Sequence, residues 1–482
     1  MKTLEVLQRL NNETKAEVFI VGGFVRDYLR NKTNSDLDIV IRNLSLNNIK
    51  NYLSRYGSIK EVHISRTSDL FEVTILLFKA FDDSTEAQIT LPRRSKMQIS
   101  DSRNTLKQDV KFRDFKINAL YLPINFSSKK DVIDLVGGKA DIMKRRLSSN
   151  GSPVERIKES PIRMLRAISL AARTNYKLDN ELIAAIRANA SLINKCPVET
   201  IRTEFNKIIM CNKPSKYLRL LAEVKLLDYI SPELVACINV RQDGKYHKYD
   251  VFTHLIYTVD HCDHNLVIRL AGLLHDTGKP ETKKEIKDGN VRRITFHKHE
   301  IISVKRAKDF LVRLKYDLET TKQVLMLVKY HMFHFTREWT DSAIRKFIRR
   351  VELGKEYLTE DRIEKFPLFR LRAAERLGNG LKSVAITERQ KDFEHKILEV
   401  YKESNGLETK DLMVNGNKIM DIFNLKPGIQ IGNILKFLLD RVLDNPKLNN
   451  ELELLKLVTE YLHDGHIKAH IESDEEDCRK FE

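Results

Sequence analysis

Apolar residues change their spacing once along this 482-residue chain, close to residue 150. Before that point they form short runs of strand type. Val18-Phe19-Ile20-Val21 ends in Gly22-Gly23, Asp36-Leu37-Asp38-Ile39-Val40-Ile41 alternates before turning fully apolar, and Phe71 to Phe78 is rich in β-branched and aromatic residues. Leu46, Ile49 and Leu53 have helical spacing between the second and third runs, so a small mixed sheet with helices on one side is predicted. From about residue 155 onward the period is 3.6, as in Ile162, Leu165, Ile168 and Ala172, then Ile183, Ile186, Ala190 and Ile193, and again in Val304 to Leu314 and Leu435 to Val442. The predicted fold class is an α/β head over residues 1–150 followed by an extended all-α body.

Lys and Arg number 84 against 67 Asp and Glu, a formal net charge of +17 that favours a polyanionic partner such as nucleic acid; a solubilising basic surface is the plainer reading. Residues 472–482 reverse the sign and read as an acidic disordered tail. Eighteen Gly and eleven Pro are too few for collagen-like or low-complexity chains. Five scattered cysteines without a CxxC pair give neither a disulfide framework nor a cysteine zinc site. Met1-Lys2-Thr3-Leu4-Glu5 has no basic-then-apolar signal pattern, and no stretch approaches the roughly 18 uncharged apolar residues of a membrane span. A soluble, cytoplasmic protein with no membrane partner is the expectation.

The head carries the densest chemistry. Asp36 and Asp38 stand two apart on a predicted strand, so both carboxylates face one side, where a hard divalent cation such as Mg²⁺ would relieve their repulsion. Surface strands also carry such pairs without a metal. Gly22 and Gly23 are followed at once by Phe24-Val25-Arg26-Asp27 opening a predicted helix, and a glycine pair there lets backbone amides approach a triphosphate. Together the residues read GG-x2-RD-x8-D-x-D.

With that spacing the head resembles the class II tRNA nucleotidyltransferase and poly(A) polymerase family, a branch of the polymerase-β-like nucleotidyltransferases. Phe112-Arg113-Asp114-Phe115-Lys116-Ile117-Asn118 is similar to the family's RRDFTIN segment, departing at Phe112 and Lys116. Asp134 to Asp141 is similar to its D-x2-GG-x2-D motif, and Glu159-Ser160-Pro161-Ile162-Arg163-Met164-Leu165-Arg166-Ala167 to its ED-x2-R-x-LRA element. The resemblance implies attack of an RNA 3′-hydroxyl on the α-phosphate of CTP or ATP, with two Mg²⁺ ions bridged by Asp36 and Asp38. A third carboxylate is expected from a neighbouring strand, for which Glu72 is the candidate, with a solvated strand residue as the alternative. It further implies nucleotide contacts by Gly22, Gly23, Arg26, Arg113, Asp114, Asn118, Glu159, Arg163 and Arg166. Asp114 and Asn118 are also good turn caps, and Gly137-Gly138 between Asp134 and Asp141 suits a structural turn. The family's base-reading Asp is Ser160 here, which alternatively serves as an N-cap before Pro161, and Thr200 stands where an Arg is expected. Arg93, Arg94, Lys96 and Lys107 either hold triphosphate or primer or form a solvated basic loop.

In the body, His254, His275-Asp276, His299 and His331 form a spaced set of metal-ligand types, His275-Asp276 ending an apolar run. This H…HD…H…H series resembles the HD phosphohydrolase domain, which implies a divalent transition metal and metal-assisted phosphoester hydrolysis; a retained helical scaffold is the alternative. His297 is placed to exchange roles with His299, while His261, His264 and His334 fit no separate pattern. Arg345, Arg349 and Arg350, and then Arg370, Arg372 and Arg376, are basic clusters suited to an RNA backbone or to simple solubility. Asp411 to Gly416 and Leu425 to Gly432 resemble the C-terminal RNA-binding region of HD-bearing members.

The expected organisation is a nucleotidyltransferase head at 1–150, a base-selecting neck at 151–240, an HD-type domain at 241–400 and an RNA-binding domain at 401–471. CCA addition to tRNA or another RNA 3′ end is the leading function. The alternatives are a poly(A) polymerase using ATP alone, an HD phosphohydrolase with a nucleotide-binding head, and a non-catalytic RNA-binding protein, which would leave Asp36 and Asp38 without purpose.

Overall fold

The computed structural model describes residues 1–66, 71–93, 101–288, 291–403 and 408–463, with backbone alone at 63–66, 71–73, 287–288 and 291–292. The Glu72 side chain, Arg94, Lys96 and the 472–482 tail lie outside the described residues. Two compact units make up the chain: Met1–Ala236 together with Val312–Lys315, and the remainder from Cys237.

The first unit is built on a seven-stranded sheet. Its strands are β1 (Glu17–Val21), β2 (Leu37–Arg42), β3 (Gly57–Arg66), β4 (Phe71–Ala80), β5 (Glu86–Thr90), β6 (Leu120–Pro123) and β7 (Ile133–Asp134), in the spatial order β3-β4-β5-β2-β1-β6-β7. Only the β2–β5 pair is parallel, so the sheet is mixed, as predicted. Side-chain alternation along β1 sends Phe19 and Val21 into a cluster with Val40, Val110, Ala119 and Tyr121. Helix α1 (Thr3–Glu13) packs against β1 and β4, and α3 (Leu46–Leu53) against β3, burying Val6, Leu7, Leu10, Ile49 and Leu53. Between them α2 (Gly23–Leu29) follows β1 without a loop, because Gly22 takes φ +70° and reverses the chain there.

One strand boundary differs from the prediction. Asp36 precedes β2 instead of opening it, since its N–H is taken at 2.9 Å by the side-chain oxygen of Asn34 and cannot enter the ladder. Asp38 is within β2, opposite Val21 on one side and Gln88 on the other.

Past the sheet, helices take over. The helix Arg163–Thr174 buries Met164, Leu165, Ala167, Ile168, Leu170 and Ala171 and ends at Asn175 in the left-handed region. Its opposite face carries Arg163, Arg166 and Arg173. The next helix, Asn180–Ala188, is shorter than the periodicity suggests: Ala190 and Ile193 belong to a separate 3₁₀ segment, Ala190–Lys195.

In the second unit the helices Val251–His261, Leu266–Leu274, Leu318–Tyr330 and Pro367–Gly378 pack on one another. Asp250, Asn265 and Asp317 cap the first three through their side chains. A hairpin, Lys284–Asp288 with Val291–Thr295, interrupts a stretch that reads as entirely helical. The C-terminal helices Gly416–Phe423, Ile429–Asp444 and Glu451–His463 pack around Ile431, Ile434, Leu438, Leu454 and Val458.

Helices Val251–His261 and Pro367–Gly378 approach closely at Gly378, where a Cβ would lie 2.5 Å from Thr258 Oγ1 and 2.6 Å from its backbone nitrogen. Backbone cannot yield as a side chain does. Gly378→Ala is therefore expected to destabilise the second unit by about 1–3 kcal/mol, read as a lower urea midpoint in that unit's unfolding transition.

Candidate active sites

In the head, the β1–α2 junction and the start of β2 bring Gly22 and Asp38 together. A Cβ on Gly22 would stand 2.7 Å from Asp38 Oδ2, so glycine is required there both by its φ and by the carboxylate against it. Burial pushes the Asp38 carboxyl up; Arg113 pulls it back, Asp36 adds to the rise and Arg166 opposes it. Asp36, by contrast, is exposed. Two carboxylates, one partly desolvated with glycine backbone against it, form a donor set of the hard-oxygen kind that suits Mg²⁺.

Around them the neighbouring charges are fixed by hydrogen bonds. Arg26 is buried, its guanidinium donating to Asp27 at 2.6 and 3.0 Å and to Asn118 at 2.9 Å. Asp27 also accepts from Arg30 and Asn34, and Asn34 in turn holds the Asp36 N–H. Thus Asn34, which the sequence did not single out, links α2 to the first carboxylate. Arg113 donates to Asp109 at 3.0 Å and to the Tyr121 hydroxyl at 3.1 Å, while that hydroxyl donates to Asp109 at 2.7 Å. Asp109 is 1% exposed; against the cost of burial, Arg113 and Arg93 hold its carboxyl below the ordinary range. Asp109 was also missed, though it stands one helical turn before Arg113 in the sequence.

The neck helices contribute Arg166, whose guanidinium stands 3.2 Å from Asp114. Burial works against the Asp114 carboxylate, but Arg166 and Arg163 outweigh it and keep the carboxyl low. Arg163 donates to the Arg156 carbonyl at 2.9 Å and to Glu159 at 3.0 Å, and Arg156 donates to the same Glu159 oxygen at 2.7 Å. Ser160 is no N-cap. It ends the helix Pro153–Glu159, and the next helix starts after Ile162 without a side-chain cap. Asp134 and Asp141 serve the structure: Asp134 accepts four backbone N–H groups from Val136 to Lys139, and Asp141 is buried against Arg146 and Ser148. Arg93 also belongs here, donating its backbone N–H to Asp109, whereas Lys107 is exposed.

In the second unit all five predicted ligands converge. Asp276 Oδ2 lies 3.3 Å from His275 Nε2 and 3.5 Å from His254 Nε2; its Oδ1 lies 3.1 Å from His299 Nε2 and 3.6 Å from His331 Nε2. All are buried. His275, His299 and His331 each place Nδ1 within hydrogen-bond distance of a backbone carbonyl, of Gly272, Phe296 and Val328 respectively, which leaves Nε2 as the free lone pair. Burial pushes the His254 imidazole down to about 3, so it is neutral and able to ligate. Against its own burial, His275 and Lys279 hold the Asp276 carboxyl well below the carboxylate range. This donor set fits a divalent transition metal.

A cavity of about 300 Å³ opens beside the cluster, lined among others by Lys279, His247, Arg372 and Glu375. Lys279 Nζ lies 2.7 Å from Asp276. Sequence reasoning missed Glu375 and His247, which lie far from the HD pair in the chain and carry no motif. His297 is exposed, as are His261, His264 and His334. Several arginines of the basic clusters are tied into the fold: Arg345 donates to the Leu443 carbonyl, Arg349 to Asp440, Arg370 to both oxygens of Asp263 and Arg372 to Glu375, while Arg350 is exposed.

Residues 18–148 match the poly A polymerase head domain, 175–238 the probable RNA and SrmB-binding site of polymerase A, and 251–366 the HD domain. A CC-adding tRNA nucleotidyltransferase from Thermus thermophilus is 26% identical over 442 residues, 89% of this chain and 90% of that protein. A CCA-adding enzyme from Streptococcus thermophilus is 23% identical over 466 residues, 95% of this chain and 96% of that one. Among solved structures, Bacillus stearothermophilus CCA-adding enzyme in complex with CTP shares the fold with a TM-score of 0.62 at 18% identity, over 96% of this chain and 98% of that one. The chain therefore carries a poly A polymerase head domain, a probable RNA-binding segment of polymerase A and an HD domain, in this order.

Proposed function

We propose that this protein adds CCA to tRNA 3′ ends from CTP and ATP, without a template and with release of pyrophosphate. The observation that carries the reading is Asp38 pressed against Gly22 with Asp36 beside it, in the field of Arg113 and Arg166. Magnesium held by Asp36 and Asp38 would neutralise the triphosphate and make the RNA 3′-hydroxyl more acidic. In the transfer, the 3′-oxygen bonds to the α-phosphorus, the bond to pyrophosphate breaks, and the hydroxyl proton leaves. Glu72 is retained as the third carboxylate. Arg113, steered by Asp109 and Tyr121, gives positive charge next to the carboxylates, and Asp114, tethered to Arg166, faces the nucleotide. Gly22, Gly23, Arg26 and Asn118 shape the same pocket, Arg26 through its bond to Asn118.

Base choice falls to the turn between the helices Pro153–Glu159 and Arg163–Thr174. Glu159 clamps Arg163 and fixes its guanidinium, while the Ser160 side chain caps neither helix and is free to meet a base. A CC-adding relative and a CCA-adding one stand at similar identity, so overall likeness does not choose the product, and we assign that choice to this turn. Poly(A) synthesis from ATP alone is the weaker reading. We further propose that the neck runs from 151 to 240, the HD domain to 400 and an RNA-binding domain to 471, and that the protein works in the cytoplasm; no described helix is long and apolar enough to cross a membrane. A metal-assisted phosphoester hydrolase in the second unit is favoured by the five converging ligands, His254, His275, Asp276, His299 and His331.

Purified protein supplied with tRNA lacking CCA, Mg²⁺ and labelled CTP or ATP should add two C and one A and then stop; a long A ladder would overturn the reading in favour of poly(A) synthesis. Asp38→Asn should abolish incorporation while leaving the thermal unfolding profile intact. Ser160→Asp, which supplies a charged acceptor, should shift the C-to-A incorporation ratio by about tenfold or more, and an unchanged ratio would remove residue 160 from base reading.

A further inference from the structure

Strand β2 delivers only one of the two head carboxylates. Asp38 is fixed by its ladder partners Val21 and Gln88. Asp36 stands one residue ahead of the strand and is exposed, so strand alternation does not place it. What takes the Asp36 N–H is the side-chain oxygen of Asn34, at 2.9 Å.

Asn34 is itself held. Its amide nitrogen donates to Asp27 Oδ2 at 2.8 Å, and Asp27 is buried in α2 against the guanidiniums of Arg26 and Arg30. Arg30 reaches on to the Thr174 carbonyl at 3.1 Å, at the end of the helix Arg163–Thr174. Both ends of one amide are thus in use. A flipped amide would set its NH₂ against the Asp36 N–H and its oxygen against the Asp27 carboxylate, so one orientation alone satisfies both neighbours. Gly23 leaves room for it, since a Cβ there would lie 3.3 Å from Asn34 Nδ2 and 3.5 Å from Arg26 Nη2.

We infer that Asn34 is a positioning residue for the metal pair of the head, holding Asp36 where it can share a divalent cation with Asp38. This rests on the reading of Asp36 and Asp38 as the Mg²⁺-bearing carboxylates. Removing an outer partner of this kind typically weakens metal binding about 10–100-fold. Asn34 acts on a ligand and not on the reacting atoms, so its loss costs metal affinity and leaves the rate at saturating metal in place.

The test uses the full chain with Fe²⁺ in place of Mg²⁺. With ascorbate and hydrogen peroxide, bound Fe²⁺ cuts the backbone beside its site, and fragment size separates a cut near residues 22–38 from one near the histidine cluster. Asn34→Ala should need at least about tenfold more Fe²⁺ for half-maximal cleavage in the head, and Ser35→Ala should match the parent chain. The same shift is expected in the Mg²⁺ dependence of nucleotide incorporation. Excess Mg²⁺ should restore the Asn34→Ala rate and leave Asp36→Ala inactive. Head cleavage of Asn34→Ala at the parent's Fe²⁺ concentration, or a lost rate that excess Mg²⁺ does not restore, overturns the positioning role and leaves the transferase reading standing. Head cleavage and incorporation that both survive Asp36→Ala remove the carboxylate pair itself, and with it the transferase reading.

Discussion

A carboxylate withdrawn from water stays charged only when cations or fixed donors surround it. Each unit of this protein is organised by that demand. In the head, Asp109, Asp114 and Asp27 meet it internally, through Arg113, Arg166 and Arg26. Asp38 does not, because burial and then the second negative charge of Asp36 raise its carboxyl by more than Arg113 and Arg166 offset. In the second unit, Asp276 is met by four imidazoles and Lys279. The groups left under-neutralised or over-supplied with donors are the ones that a metal would complete. That asymmetry sets Asp38 and Asp276 apart from the acids neutralised within the fold.

Local spacing made part of this legible. Strands β1, β2 and β4 follow from apolar runs, and the Gly22-Gly23 and Asp36-x-Asp38 pattern forecast a carboxylate pair near a tight turn. The five ligands of the histidine cluster were likewise readable, since histidine and aspartate at helix ends have few other reasons to recur. Strands β3, β6 and β7 were not, because their residues lack clean alternation and their pairing depends on distant partners such as Asp134 opposite Leu120; β5 alternates, with Ala87 and Ile89 inward, but over only five residues. Asp109 and Asn34 escaped for a related reason. Each acts through another side chain, and nothing in its own sequence neighbourhood says which one. The arginine clusters were suited by spacing to an RNA backbone or to solubility, and the fold adds a use that spacing does not reveal: Arg345, Arg349 and Arg370 donate to carbonyls and acids within it. Net charge alone cannot distinguish the two situations.

The family resemblance and the physical reading answer different questions. Relatives named for CC and for CCA addition have similar overall identity to this chain, so likeness identifies the chemistry more sharply than the product. On the proposed reading the product depends on a few contacts around the nucleotide, presented by Arg163 as Glu159 and the Arg156 carbonyl hold it.

Glu159 and Arg163 brace each other across the turn, and Ser160 stands between them, its backbone closing the first helix and its side chain capping neither. A position so placed is decoupled: its side chain can be exchanged without loosening the brace that presents its neighbours. On the proposed reading, a substitution at residue 160 would change nucleotide preference while leaving the fold in place.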